Sequence, residues 1–153
     1  YNSVSDIPGL LVREYGDGMA ASFPFQIGAM YREWGNLGHS MLAVGTLDNL
    51  LETGRRLKIV SSPLVEATHR QDPQERFEWI ALYNHSGRLE NSFHPPIPID
   101  DIQINLKTLR PIRRVTSLID CKELTQASKL STETQIVLPK LGVFEIILVE
   151  YTR

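Results

Sequence analysis

The sequence contains a single cysteine, Cys121. One thiol excludes an internal disulfide and a multi-cysteine zinc site, so this is not a disulfide-stapled secreted scaffold. Cys121 reads as a half-buried strand or turn residue rather than a nucleophile, which needs an electropositive, positioned setting. No apolar run approaches the roughly 20 residues of a membrane-spanning helix. The opening segment Tyr1-Asn2-Ser3-Val4-Ser5-Asp6 has no basic n-region and apolar core, so it does not read as a signal peptide and the expectation is a cytoplasmic chain. Basic charge is not in excess either. The formal net charge of -2 argues against a nucleic-acid surface, which needs clustered cations. Arg55 with Arg56, and Arg110 with Arg113 and Arg114, are groups too short to change that; each reads as a solvated loop or strand face. Asn84-His85-Ser86 fits a glycosylation sequon, a triplet frequent by chance that matters only in a secretory pathway.

What is present suits one ordinary domain, or a fragment plus a small one. A hydrophobic fraction of 42% and a charged fraction of 22% allow a packed core. Residues 9–25 read as a hairpin: Leu10, Leu11 and Val12 lead to Tyr15-Gly16-Asp17-Gly18, and an apolar run from Met19 to Phe25 follows. Asp17-Gly18 between apolar runs is a turn signal, because glycine accepts positive φ without steric cost. Residues 26–38 read as a glycine- and aromatic-rich loop. A helix is expected from Ser40 to Glu52, with Met41, Val44, Leu47, Leu50 and Leu51 on one buried face, Leu42 widening it, and His39 opening it. Gly54 would stop it, with Arg55 and Arg56 at the negative end of the dipole.

Beyond Gly54 the period changes. Strands are expected over Leu64–Gln71, Phe77–Asn84, Ile102–Lys107, Arg113–Leu118, Thr134–Leu138 and Val143–Tyr151. Ile102, Ile104 and Leu106 alternate with Gln103, Asn105 and Lys107, the period-two signature of a half-buried strand. The second and last of these strands are apolar on both faces, which makes them central and puts Trp79 in the core. Asp72-Pro73, Ser86-Gly87, Pro95-Pro96, Pro111, Pro139 and Gly142 punctuate the strands. The expected fold is therefore mainly β: an antiparallel β-sandwich over 55–153, preceded at 1–54 by a hairpin and one helix. That first part cannot bury its apolar faces alone. It either packs on the sandwich or is the tail of a larger α/β domain.

The order Tyr15-Gly16-Asp17-Gly18, Phe23-Pro24-Phe25-Gln26-Ile27-Gly28, Tyr31, then His39 before a leucine-bearing helix, resembles the end of the amidotransferase-like trimerisation domain of β-galactosidase-type glycoside hydrolases. Ser62-Pro63 before a strand, Ile80-Ala81-Leu82-Tyr83-Asn84, Pro98-Ile99-Asp100-Asp101-Ile102 and Leu138-Pro139-Lys140-Leu141-Gly142-Val143-Phe144-Glu145-Ile146 continue the resemblance in order through a C-terminal sandwich. It implies a non-catalytic accessory region with a structural and assembly role. Its partners would be the remainder of a larger polypeptide or identical subunits. The family's hydrolytic carboxylates lie in a (β/α)₈ barrel, which has no room here. The cysteine nucleophile of amidotransferases has no counterpart in residues 1–53.

The chemical candidates are sparse. Glycosidases need two carboxyl groups about 5–10 Å apart. Glu66, Glu78, Glu90, Asp100 and Asp101 supply the residue type but no spacing, so no catalytic residue is assigned. His39, His69, His85 and His94 include no i, i+4 pair, so no metal ligand and no cofactor are assigned. Tyr31, Trp34 and His39 are the candidate interface or sugar-contact residues: aromatic faces stack on sugars and fill protein interfaces, and Trp34 equally fits core packing. A carbohydrate-binding sandwich is the alternative function. It needs Trp34, or Phe93 beside His94, exposed on a flat or grooved face.

Overall fold

The computed structural model describes residues 6–51, 54–89, 91–108, 110–130 and 133–152. The chain divides into two compact units, residues 1–55 and 56–153.

In the first unit β1 (Leu11–Tyr15) and β2 (Gly18–Ser22) form an antiparallel hairpin. Tyr15 pairs with Gly18, so the turn is Gly16-Asp17, one residue earlier than the sequence suggested. Gly16 alone takes positive φ (60°), the II′ pattern, whose backbone twist matches that of the strands. Two helices follow where one was expected. Helix α1 (Ile27–Trp34) replaces the expected loop over 26–38. Ile27, Met30, Tyr31 and Trp34 recur at helical spacing, and Gly35 ends the helix at φ 62° by donating its N–H to the Tyr31 carbonyl. Helix α2 (Leu37–Leu50) begins before Ser40, because the Asn36 side chain caps it by accepting from the Gly38 N–H at 2.8 Å. His39 therefore sits inside the first turn rather than opening the helix. Glu52, its expected last residue, lies outside the described residues.

The expected buried stripe is also corrected. Met41, Val44 and Leu47 are exposed, and Thr46 is the one buried residue described on α2, its hydroxyl donating to the Leu42 carbonyl at 2.8 Å. Leucine and valine occur on several sides of this helix, and Leu37, Leu42, Val44 and Leu47 stay at the surface. Arg55 forks onto Asp48 at 2.6 and 3.1 Å, so a specific ion pair, not only the dipole, fixes it.

The second unit is the antiparallel β-sandwich. In chain order it holds β3 (Leu57–Val60), β4 (Val65–Gln71), β5 (Phe77–Asn84), the two-residue pair β6 (Arg88–Leu89) and β7 (Ser92–Phe93), β8 (Ile99–Lys107), β9 (Ile112–Ser117), β10 (Lys122–Glu123), β11 (Gln126–Leu130), β12 (Glu133–Leu141) and β13 (Phe144–Tyr151). One sheet runs β10-β9-β13-β5-β4 and the other β11-β12-β8-β3. Their inner faces form one core. Ile80, Leu82, Val115, Ile147 and Val149 come from the first sheet, and Ile102, Ile104, Leu106, Ile136 and Leu138 from the second, all at alternate positions of their strands.

Alternation also relocates Trp79. Glu78, Ile80 and Leu82 face inward on β5, so Trp79 stands half-buried on the outer face and is not core. Strand β12 runs through Pro139 instead of stopping before it. The ladder omits one step there: Leu138 pairs with Ile102 and Lys140 with Asp100, while Asp101 turns to φ 53° between them. Pairing with β11 has already ended at Ile136, so the missing proline N–H costs no bond on that side.

Candidate functional site

The sequence candidates divide between the two units. In the first, Trp34 ends α1 and His39 lies in the first turn of α2. Their rings approach to 6.4 Å, with Tyr31 three residues earlier on α1. Trp34 is 62% exposed and Tyr31 is at the surface. His39 is half-buried, and its Nδ1 has no hydrogen-bond partner among the described residues.

Several carboxylates of the second unit are held by their surroundings. Glu78 is fully buried, and both its oxygens accept from the Arg56 Nη2 at 3.1 and 3.2 Å, with His69 Nε2 at 2.5 Å on the second. Arg56 is thus not a solvated or dipole-facing cation: it neutralises a carboxylate that burial would otherwise penalise heavily. Glu66 meets His85 Nε2 at 2.7 Å. Asp100 and Asp101 are exposed on β8, and Glu90 lies outside the described residues. Glu145, which sequence reasoning passed over, is also buried. It accepts from the Ser117 hydroxyl at 2.8 Å and from the Ile119 and Ile146 N–H groups at 3.0 and 2.8 Å. Its only sequence signal was a charge on the inward side of an apolar strand.

Phe93 and His94 border a concave site at one end of β5. A pocket of about 250 Å³ is walled by Tyr83, His85, Gly87, Arg88, Phe93 and His94. Tyr83 and His85 meet edge to face at 4.6 Å, and Phe93 is 75% exposed. Asn84 fixes the wall. It is buried, donates to the carbonyls of Ile97 and Gly142 at 2.8 Å each, and accepts from the Ser86 N–H at 3.0 Å. Both amide hydrogens are therefore engaged, so the sequon asparagine serves packing. Gly87 permits a close approach: a Cβ there would lie 2.1 Å from the His94 carbonyl oxygen. His85 and His94 both line this pocket.

Cys121 is exposed, in a turn at φ 52°. Among the described residues, no group of three or more His, Cys, Asp or Glu is arranged to hold a metal ion. Likewise, no described helix is long and apolar enough to cross a membrane.

No protein-family profile matches the chain, and no curated protein does. Among solved structures, it is similar to alpha-L-fucosidase isoenzyme 2 from Paenibacillus thiaminolyticus, with a TM-score of 0.72 and 20% identity. The fold is one that a glycoside hydrolase carries. The match covers 95% of this chain and 22% of the fucosidase, so the chain spans about a fifth of that enzyme's length. At this identity the likeness concerns the fold.

Proposed function

We propose that the chain is an accessory, non-catalytic region of a glycoside-hydrolase-like protein, acting in structure and assembly. The single observation that carries this reading is the extent of the fold likeness. Since it takes in 95% of the chain, it includes much of the helical unit as well as the sandwich, within one glycosidase chain. The engagement of Glu78 and Glu145 in buried networks supports it, since both are committed to holding strands. The β-galactosidase-type, trimerisation-domain parentage is the finer form of this reading. It makes the partner either the rest of a longer polypeptide or identical subunits, in contact through surfaces such as that bearing Tyr31 and Trp34. The test assays the isolated chain on aryl galactosides, fucosides and related glycosides, and follows its mass by sedimentation. No turnover and a concentration-dependent oligomer are expected. Turnover abolished by replacing one of its carboxylates would overturn the reading.

A second reading, a carbohydrate-binding module, is favoured by the exposure of Phe93 on the rim of the His85–His94 pocket. A sugar face stacking there would desolvate both surfaces. Titration with neutral oligosaccharides is expected to shift the amide resonances of residues 85–94 saturably, and Phe93→Ala to weaken binding about tenfold, the scale of one lost stacking contact. Unmoved resonances at millimolar ligand would remove this reading.

A further inference from the structure

The outer face of the five-stranded sheet carries a different pocket, of about 370 Å³, built around Arg76, Phe77, Arg110, Arg113, Leu148 and Glu150. Its size falls in the range of small-molecule sites. A β-bulge shapes it. Glu150 pairs with Arg114, but Tyr151 pairs with Ile112, so Arg113 is an extra residue in β9. Strict alternation would send one of Arg113 and Arg114 inward; with the bulge both are exposed. Bulges re-aim side chains in this way.

The charges around the pocket do not cancel. Arg76 is clamped to Asp72 at 2.8 Å, Arg110 meets Glu75 at 3.3 Å, and Arg114 meets Glu150 at 2.7 Å. Arg113 has no ion-pair or hydrogen-bond partner among the described residues. One guanidinium is thus left over, beside Leu148 and Phe77, whose ring has the Arg76 guanidinium 6.0 Å from its centroid. Glu150 adds an acceptor suited to a hydroxyl and repels a second negative charge, which disfavours a phosphate dianion. Tyr151 also lines the pocket, is 7% exposed, and keeps a hydroxyl without a partner among the described residues.

We propose that this pocket binds a carboxylate carried on a pyranose ring, a uronic acid residue. Arg113 takes the carboxylate in its planar fork, Phe77 and Leu148 take one face of the ring, and Glu150 accepts from a ring hydroxyl. The site is independent of the assembly reading and distinct from the Phe93 pocket.

The test titrates the chain with glucuronate, galacturonate, galactose and acetate while following the amide resonances of Phe77, Arg113 and Leu148. The uronates are expected to bind at least about tenfold tighter than galactose or acetate, and more weakly as salt rises. Arg113→Gln, an exposed substitution, should weaken uronate binding about tenfold to hundredfold, the scale of one charge-assisted contact. Arg113→Lys should retain part of the affinity, and Phe93→Ala all of it. Equal binding of galactose removes the carboxylate, equal binding of acetate removes the ring, and unchanged affinity in Arg113→Gln removes the site. Any one of these overturns the proposal.

Discussion

Asp72 shows how much one side chain contributes at a turn. It follows β4, and its carboxylate accepts from the Arg76 Nε at 2.8 Å, the Arg76 Nη2 at 3.2 Å and the Arg76 backbone N–H at 3.2 Å. The hydrogen-bonded Arg76 guanidinium holds the Asp72 carboxyl below its ordinary value, outweighing the opposing effect of burial, and Asp72 in turn raises Arg76. A carboxyl lowered on folding contributes stability that is complete above its unfolded pKa of about 3.9 and is lost as pH falls through the folded value. Urea midpoints of the parent chain and Asp72→Asn should therefore differ clearly at pH 7 and converge on acidification below about pH 4. A constant difference across that range would locate the contribution elsewhere. From the sequence, Asp72-Pro73 was legible as a breaker, but its clamp was not, because that needs Arg76 turned back across Glu75, which sits at φ 53°. Trp79 was misjudged for a related reason: with Trp79 and Ile80 adjacent, only the inward position of Glu78, sheltered by Arg56 and His69, reveals which of them is core.

Among elements, the long strands were the legible ones. The β5 bounds, Phe77–Asn84, coincide with those read from its apolar run, and β4 and β13 differ by one residue at their starts. Periodicity is strongest where one face is wholly buried. Strand β3 was missed because its four residues offer too few alternations, and β11 because Gln126-Ala127-Ser128-Lys129-Leu130 has no apolar stripe; both gain their place by pairing with β8 and β12. Helix α1 was not legible because Gly28 lies within it and Gly35 and Gly38 follow it, a composition that favours turns and masks the helical spacing of Ile27, Met30, Tyr31 and Trp34. The candidate site followed the same division. Trp34, Phe93 and the histidines were legible by residue type. The closeness of His85 to Tyr83 depends on the 3₁₀ turn at His85–Gly87, and the release of Arg113 depends on a register shift that no local pattern encodes.

At the scale of the molecule, every buried apolar residue of the core cluster lies between Ile80 and Tyr151, with Leu57, Ile59 and Val65 packed against it. The sandwich therefore satisfies its own burial. Residues 56–153 expressed alone should give a dispersed amide spectrum and one cooperative thermal transition, whereas residues 1–55 alone, with Thr46 the one buried residue described, should not. A collapsed or aggregated 56–153 fragment would contradict this.

The position of β13 has a consequence for how the protein is made. It is the latest strand in the sequence, yet it lies between β9 and β5 and pairs with both. As a ribosome delivers the chain, the β4–β5 pair and the β9–β10 pair have no shared neighbour until residues 144–151 emerge. Until then their inward-facing Ile80, Leu82 and Val115 lack the strand that unites them. The nascent sandwich must wait with a gap down the middle of one sheet, and that interval is when it is most open to capture by a chaperone or by another unfinished copy.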